Sequence, residues 1–358
     1  MSKKKTVLLL YGGKSVEHEI SIRSAKNVYE NIQKDIYNVL VVGIDKSGIW
    51  YLTNLVDSNI KSGDKVAPIP HDHSAALINL VDHSKVEFDI VFPVLHGTDG
   101  EDGGIQGIFK AYNVPLVGCS VLGSAVAMDK IVSKKLLKES GVPVADYIYF
   151  DKAQKENFSF QKVTEEIGLP FMIKAGALGS SVGISKVKNE GDYLSALEDA
   201  FQYGDQVLLE KYVKGRELEC GVLGNERPEA TLPGEIVLKK NYEFYDYQAK
   251  YQDDEAIDII IPAKVDESIS KKIMELCVKS FKALNCNDYA RVDLFLTEDG
   301  NVVINEINTI PGFTNVSMFP MLWNNMGLSY PELISSLIEM ALKRWEKQNS
   351  YSTHYDKA

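Results

Sequence analysis

The chain has 358 residues, 45% of them hydrophobic and 25% charged, and a formal net charge of −11. That length suits two or three domains rather than one small core. The acidic surplus disfavours wholesale nucleic-acid binding but leaves local ATP binding open. No run approaches the roughly 18 apolar residues of a membrane span. The opening MSKKKTVLLLYGG has too short an apolar run for a signal peptide and reads as a first strand. Cys119, Cys220, Cys277 and Cys286 are scattered with no CxxC pair, which points to a reduced, cytoplasmic setting.

Residues 6–10 predict a strand running into Gly12 and Gly13, with a helix from about residue 21, a doubly wound α/β start. GGKS at 12–15 resembles the end of a P-loop, but Leu8 stands where its first glycine belongs. Residues 37–44 and 88–95 predict further strands with helices between. Polar clusters follow two strand ends, at Glu17-His18-Glu19 and at 96–104, which contains His96 and Glu101. Taken alone, each cluster reads first as a solvated loop.

Residues 124–140 predict a helix stopped by Gly141-Val142-Pro143, and a strand follows at 145–150, so a domain boundary belongs near 120–145. The strand at 171–174 ends on Lys174 and leads into the small-residue loop 175–183. Its backbone N–H groups can approach an anion closely, and Ser180 and Ser181 add donors. A helix at 190–203 precedes the strand QVLLEKYV at 206–213 and a polar strand at 217–223. The Glu-Lys-Tyr-Val run fits either a strand that ends in charge or a hinge that reads an adenine edge. Residues 241–254 hold four tyrosines without a clear period, as an active-site lid does. Helices at 265–284 and 330–345 and a loose tail complete the chain.

The stretch 288–317 carries the densest chemistry. Arg291, Asp293 and Phe295 alternate, as do Glu306 and Asn308, around Asp299-Gly300. A two-residue turn there would set Asp293 opposite Glu306 and Arg291 opposite Asn308. Like charges facing each other on a sheet are destabilising. A divalent cation relieves them, and two carboxylates with an amide oxygen suit Mg2+.

These parts in this order resemble D-alanine–D-alanine ligases of the ATP-grasp superfamily. The resemblance runs from about residue 7 to 343. It rests on GGKSVEHEIS (12–21), LHGTDGEDGGIQG (95–107), MDK (128–130), IKAGALGSSVGISK (173–186), LEKYVKGRELE (209–219), FYDYQAKY (244–251), ARVDLF (290–295) and NEINTIPGFTNVS (305–317). One departure is Ala175, where the family usually has proline. The resemblance implies an α/β chain, α+β in its C-terminal part, with an ATP-grasp fold behind an N-terminal doubly wound α/β domain. The implied divisions are 1–122 for substrate, 123–213 and 214–350 for the two halves of the ATP grasp, and 351–358 as tail.

The implied reaction joins two D-alanines through an acyl phosphate, with ATP as co-substrate and Mg2+ or Mn2+, two ions, as cofactor. Lys130 and Lys174 would hold the phosphates and Ser180 and Ser181 cap them. Glu210 would contact the ribose, Lys211, Tyr212 and Val213 the adenine edge, and Phe295 one face of the ring. Glu217 and Lys250 also belong to the implied ATP site. Asp293, Glu306 and Asn308 would bind metal. Glu17 would pair with the first D-alanine's ammonium near His96. Arg291 and the Gly312 N–H would stabilise the oxyanion, and Ser317 would bind the second carboxylate. Tyr251, Ser180 and Glu17 would join the lid to the first site. A homodimer without nucleic-acid or membrane partners is expected.

A non-catalytic ATP-binding regulator would be expected to have lost Arg291 or the Asp293/Glu306 pair, yet all three are present. A nicotinamide oxidoreductase is set aside because no G-x-G-x-x-G follows the first strand. A D-alanine–D-lactate or D-alanine–D-serine ligase stays open as the alternative.

Overall fold

A computed structural model describes residues 4–71, 74–176, 183–239 and 257–352, which build three sheets with helices packed on them. The first sheet has seven strands: β1 (Lys5–Gly12), β2 (Tyr37–Ile44), β3 (Trp50–Thr53), β4 (Asp64–His71), β5 (Ser74–Asn79), β6 (Lys85–Glu87) and β7 (Ile90–Val94). Their order is β6-β5-β4-β3-β2-β1-β7, and β1 is parallel to both β2 and β7. Val7, Leu8, Leu9 and Leu10 are all fully buried, as expected for a central strand covered on both faces. Helix α1 (His18–Asn31) covers one face with Ile22, Ala25 and Val28. Helix α2 (Gly104–Ala111) sends Ile105 and Phe109 into the cluster on Leu8, Leu10 and Val91.

No α-helix stands between residues 44 and 88 among the described residues, only a 3-10 turn at Ile60–Ser62. An antiparallel meander of β3 to β6 stands there instead. β3 and β6 are short, and Pro68 and Pro70 lie within β4, so no period-two pattern stands out in the sequence. The parallel, doubly wound part is thus confined to β2, β1 and β7.

The helix expected at 124–140 is two helices, α3 (Val121–Met128) and α4 (Lys130–Glu139). Asp129 breaks the run because its carboxylate caps α4, accepting at 2.9 Å from the N–H groups of Ile131 and Val132. The second sheet, ordered β10-β9-β11-β8, joins β8 (Tyr147–Asp151), β9 (Phe171–Ala175), β10 (Ile184–Val187) and β11 (Gln206–Lys211). Helices α5 (Phe160–Ile167) and α6 (Glu190–Ala200) cover it. The Ala175 N–H donates at 3.3 Å to Gly183 O, a bond that proline could not make. Residues 177–182 between them lie outside the described residues.

The third sheet runs β15-β14-β12-β16-β17, from β12 (Gly215–Leu223), β13 (Glu229–Ala230, beside β12), β14 (Gly234–Leu238), β15 (Ile257–Ile260), β16 (Tyr289–Thr297) and β17 (Val302–Asn308). Helix α7 (Glu267–Ala283) packs Ile273, Cys277 and Phe281 on Val292, Leu294 and Ile304. The other face of β16 carries Arg291, Asp293 and Phe295. Helices α8 (Met318–Asn325) and α9 (Tyr330–Asn349) end the described fold. Phe319, Leu333, Ile334 and Leu337 bury themselves in the first sheet's core, so the end of the chain closes on its beginning.

The hairpin corrects one expectation and keeps another. The turn is not the two residues Asp299-Gly300. Thr297 bonds to Asn301, and Gly300 takes φ +78 within a three-residue loop. That loop alone would slip the pairing by one residue. A bulge between Asp293 and Leu294 restores it, because Leu294 pairs with Ile304 while Asp293 pairs with Glu306, leaving Asn305 as the extra residue. Arg291 therefore does face Asn308.

Candidate active site

Two cavities meet at Glu219, Ile236 and Glu306. The first lies between the second and third sheets. Lys174, Glu210, Lys211, Tyr212, Val213, Glu217, Asp293 and Phe295 line it. The second, of about 720 Å³, opens toward the first sheet and is lined by Glu17, His96, Glu101, Lys130, Arg291, Asn308, Gly312 and Ser317.

A buried charge cluster forms the floor beside the first cavity. Lys174 Nζ lies 2.6 Å from Glu210 Oε2 and donates to Asn305 Oδ1 at 3.1 Å. Lys134 Nζ pairs with Glu210 Oε1 and donates to Asn305 O at 3.3 Å. Burial works against every charge here. For Glu210 the two lysines outweigh it and hold the carboxyl below its usual range. Burial also opposes the Lys174 ammonium, but Glu210 keeps its pKa raised. At Lys134 burial prevails over Glu210 and, with Lys174 beside it, lowers the pKa. Lys130 opens α4, its N–H bonded to Gly176 O at 2.9 Å and its Nζ 3.6 Å from Glu306.

Across the third sheet Glu219, Asp293 and Glu306 stand in one row on β12, β16 and β17. Arg291 answers that charge. Its Nε and Nη2 each donate at 2.7 Å to Asp293, and Nε lies 2.9 Å from Glu219. Asn308 Nδ2 donates to Asp293 Oδ2 at 3.0 Å. Where the cavities meet, the carboxylates Glu210, Glu217, Glu219, Asp293 and Glu306 stand among Lys130, Lys174 and Arg291, with Lys134 behind them. A polyphosphate would add further negative charge, so the oxygen donors Asp293, Glu306 and Asn308 fit a hard divalent cation. No group of three His, Cys, Asp or Glu side chains forms a metal cage among the described residues. The set is therefore one that ligand oxygens would complete.

On the other side, Glu17 is buried just before α1, and Gly97 is the close neighbour that keeps space open. A Cβ on Gly97 would meet Glu17 Oε2 at 2.7 Å. His96 uses both ring nitrogens, Nδ1 with Ile310 O at 2.8 Å and Nε2 with Ser24 Oγ at 3.0 Å. A carbonyl can only accept, so Nδ1 carries the proton and the Ser24 hydroxyl donates to Nε2. Burial, opposed by Glu17, lowers the His96 pKa and keeps this neutral form. Glu101 accepts from Gly97 N at 2.7 Å and Ile310 N at 2.9 Å, while burial and Glu17 push its carboxyl up to about 8. His96 and Glu101 thus brace the loop after β17 as well as lining the cavity. Ser317 stands just before α8, its Oγ accepting from Thr314 N at 3.0 Å rather than capping the helix, and lies beside Gly312.

The sequence-expected residues Glu17, His96, Gly312, Ser317, Lys130 and Arg291 thus share one cavity, and Lys174, Glu210, Lys211, Tyr212, Val213, Glu217, Phe295 and Asp293 the other. Glu306 lines both and Asn308 the second. Ser180, Ser181, Lys250, Tyr251 and the tyrosine-rich stretch 241–254 lie outside the described residues. Sequence reading passed over Glu219, Lys134 and Asn305. Glu219 could have been found two residues after Glu217 on the same strand face, and Lys134 one helical turn after Lys130. Nothing local marks Asn305 as a bulge.

Known proteins resemble this chain over nearly its whole length. Family models described as D-ala D-ala ligase N-terminus and C-terminus match residues 6–119 and 136–339. A D-alanine–D-alanine ligase of Shouchella clausii is 45% identical over 357 residues, 96% of each chain. The solved D-alanine–D-alanine ligase of Coxiella burnetii superposes with TM-score 0.87 at 36% identity, covering 97% of each chain. A D-Ala:D-Ser ligase from Enterococcus faecalis gives TM-score 0.84 at 33% identity, over 95% of this chain and 100% of that one.

Proposed function

The chain belongs to the D-alanine–D-alanine ligase family, and from that premise we propose how its residues share the work. The reaction is the ATP-dependent joining of two D-alanines for peptidoglycan synthesis, in the ATP-grasp fold, with a divalent metal required. A carboxylate is a poor acyl donor. An oxygen of the first D-alanine's carboxylate attacks the γ-phosphorus of ATP, ADP leaves, and an acyl phosphate forms. The amine of the second D-alanine then adds to that carbonyl, loses a proton, and phosphate departs as the amide bond closes.

ATP occupies the cleft between the second and third sheets. Lys211, Tyr212 and Val213 meet the adenine edge, Phe295 its face, and Glu210 and Glu217 the polar side of the nucleoside. Lys130, Lys174, Ser180, Ser181 and Lys250 hold the phosphates. Asp293, Glu306 and Asn308 would hold Mg2+, or Mn2+, as two ions. When bound, the metal neutralises charge on the phosphate oxygens. Glu17 takes the first ammonium beside His96. Arg291 and the Gly312 N–H receive the oxyanion, and Ser317 the second carboxylate. Tyr251 with Ser180 and Glu17 ties the lid to that site.

The observation that carries this reading is the strand register, which sets Asp293 beside Glu306 and Arg291 beside Asn308 where the two cavities meet. Residues 1–122 act as the substrate domain, 123–213 and 214–350 as the two halves of the grasp, and 351–358 as tail. The protein works as a cytoplasmic homodimer with no nucleic-acid or membrane partner. Four buried free thiols suit a reducing compartment. Phosphate release with ATP and D-alanine, D-lactate or D-serine offered as acceptor tests the substrate. Release and dipeptide with D-alanine alone support the reading. Faster turnover with D-lactate or D-serine would replace it with the alternative, which the relatives do not favour.

A further inference from the structure

We propose that Lys134 is a positioning residue for nucleotide binding: it occupies Glu210 so that Lys174 presents a net positive charge to the phosphates. The inference rests on the reading of this cleft as the ATP site. Lys174 cannot do this alone, because its Nζ lies 2.6 Å from Glu210 Oε2 and an isolated lysine–glutamate pair offers a polyanion no net charge. Lys134 takes the other oxygen, Oε1, and anchors itself on Asn305 O at 3.3 Å. The cluster then holds two ammoniums against one carboxylate. An ammonium has three N–H bonds. Glu210 and Asn305 Oδ1 accept from two of those on Lys174, and the third is available to a phosphate.

The Lys134 side chain is only 2% exposed and lines neither cavity, so it acts through Glu210 and Lys174 rather than by touching the nucleotide. The bulge at Asn305 belongs to the same device. It turns one residue's carbonyl to Lys134 and its side chain to Lys174. The charged groups acting on Lys134 are Glu210, Lys174 and Glu306. Once the Glu210 carboxylate is removed, Lys174 has no anion at its Nζ for Lys134 to share, so substituting Lys134 then frees or masks no charge on Lys174.

The test is calorimetric titration of the full chain with ADP in the presence of Mg2+, on the parent, Lys134→Met, Lys134→Gln, Glu210→Gln, and Glu210→Gln combined with Lys134→Met. Glutamine keeps N–H donors for Glu210 and Asn305 and removes only the charge, so it serves if the methionine variant fails to fold. Each single Lys134 variant should weaken ADP binding on the order of tenfold. KM for ATP should rise in parallel, with KM for D-alanine unmoved. In the Glu210→Gln background the same Lys134→Met change should alter ADP affinity less than about twofold. Unchanged ADP affinity in both single variants, equal losses in both backgrounds, or a loss confined to D-alanine would overturn the proposal. A parent that binds no ADP would overturn the reading of the cleft itself, and the inference with it.

Discussion

Replacing Arg291 by methionine perturbs the junction of the two cavities without a large change in side-chain length. The guanidinium donates at 2.7 Å to both oxygens of Asp293 and lies 2.9 Å from Glu219. Without it, Glu219, Asp293 and Glu306 remain side by side, with Lys130 Nζ 3.6 Å from Glu306. Breaking one partner of a buried pair costs about 3–5 kcal/mol. The Arg291 side chain is 16% exposed, and screening trims the expected loss to about 2–4 kcal/mol. That loss corresponds to roughly 5–12 °C in melting temperature if the third sheet unfolds as a unit. A divalent cation supplies the same positive charge to the same carboxylates. Mg2+ without nucleotide should therefore raise the variant's melting temperature more than the parent's. Differential scanning calorimetry near neutral pH, with and without MgCl2, measures both effects. A metal-free variant melting within about 1 °C of the parent, or an equal Mg2+ shift in both proteins, would show that the Arg291 charge does not hold this row of carboxylates together.

Glu306→Gln should cut turnover by orders of magnitude and leave the circular-dichroism spectrum intact; near-normal phosphate release at low Mg2+ would remove Glu306 from the metal site. Asp45 should show in acid stability. Burial alone would raise its pKa, but Ser47 Oγ at 2.6 Å and the N–H groups of Ile49 and Ser47 lower it to about 2. The folded pKa is depressed, so the contribution of about 2 kcal/mol is full above the unfolded carboxyl range and fades as pH falls toward about 2. The gap in urea midpoint between parent and Asp45→Ala should therefore narrow as pH falls from about 4 to about 2, and a constant gap would contradict the assignment. Tyr251→Phe should raise the ester-to-amide ratio when D-alanine and D-lactate compete, most visibly at lower pH, where the attacking amine is harder to free; mass-spectrometric product ratios unchanged from the parent would count against the role given to Tyr251.

Much of the site was legible because it rides on period-two strands. The alternation of Arg291, Asp293 and Phe295 survives as one face of β16, with Val292 and Leu294 in the core behind it. The pairing of Asp293 with Glu306 was reached from a turn that the hairpin does not have. The longer loop and the bulge at Asn305 offset each other, and neither carries a local signature strong enough to read. Lys134 was passed over for a related reason. A second lysine one turn after Lys130 looks like an exposed helix face until tertiary packing buries it against Glu210. The meander of β3 to β6 was missed because short strands with prolines lack periodicity. The burial of α9 in the first sheet's core is a long-range contact that no local pattern encodes.

ATP activation of the first D-alanine at its carboxylate, within the cleft organised by Asp293, Glu306 and Arg291, leaves an isotopic signature. D-Alanine labelled with 18O in both carboxylate oxygens tests this directly, with mass spectrometry of the phosphate released during turnover. Attack of the carboxylate on the γ-phosphorus carries one labelled oxygen into each phosphate, so singly labelled phosphate should appear in step with dipeptide. Unlabelled phosphate, or label recovered in AMP instead, would contradict it.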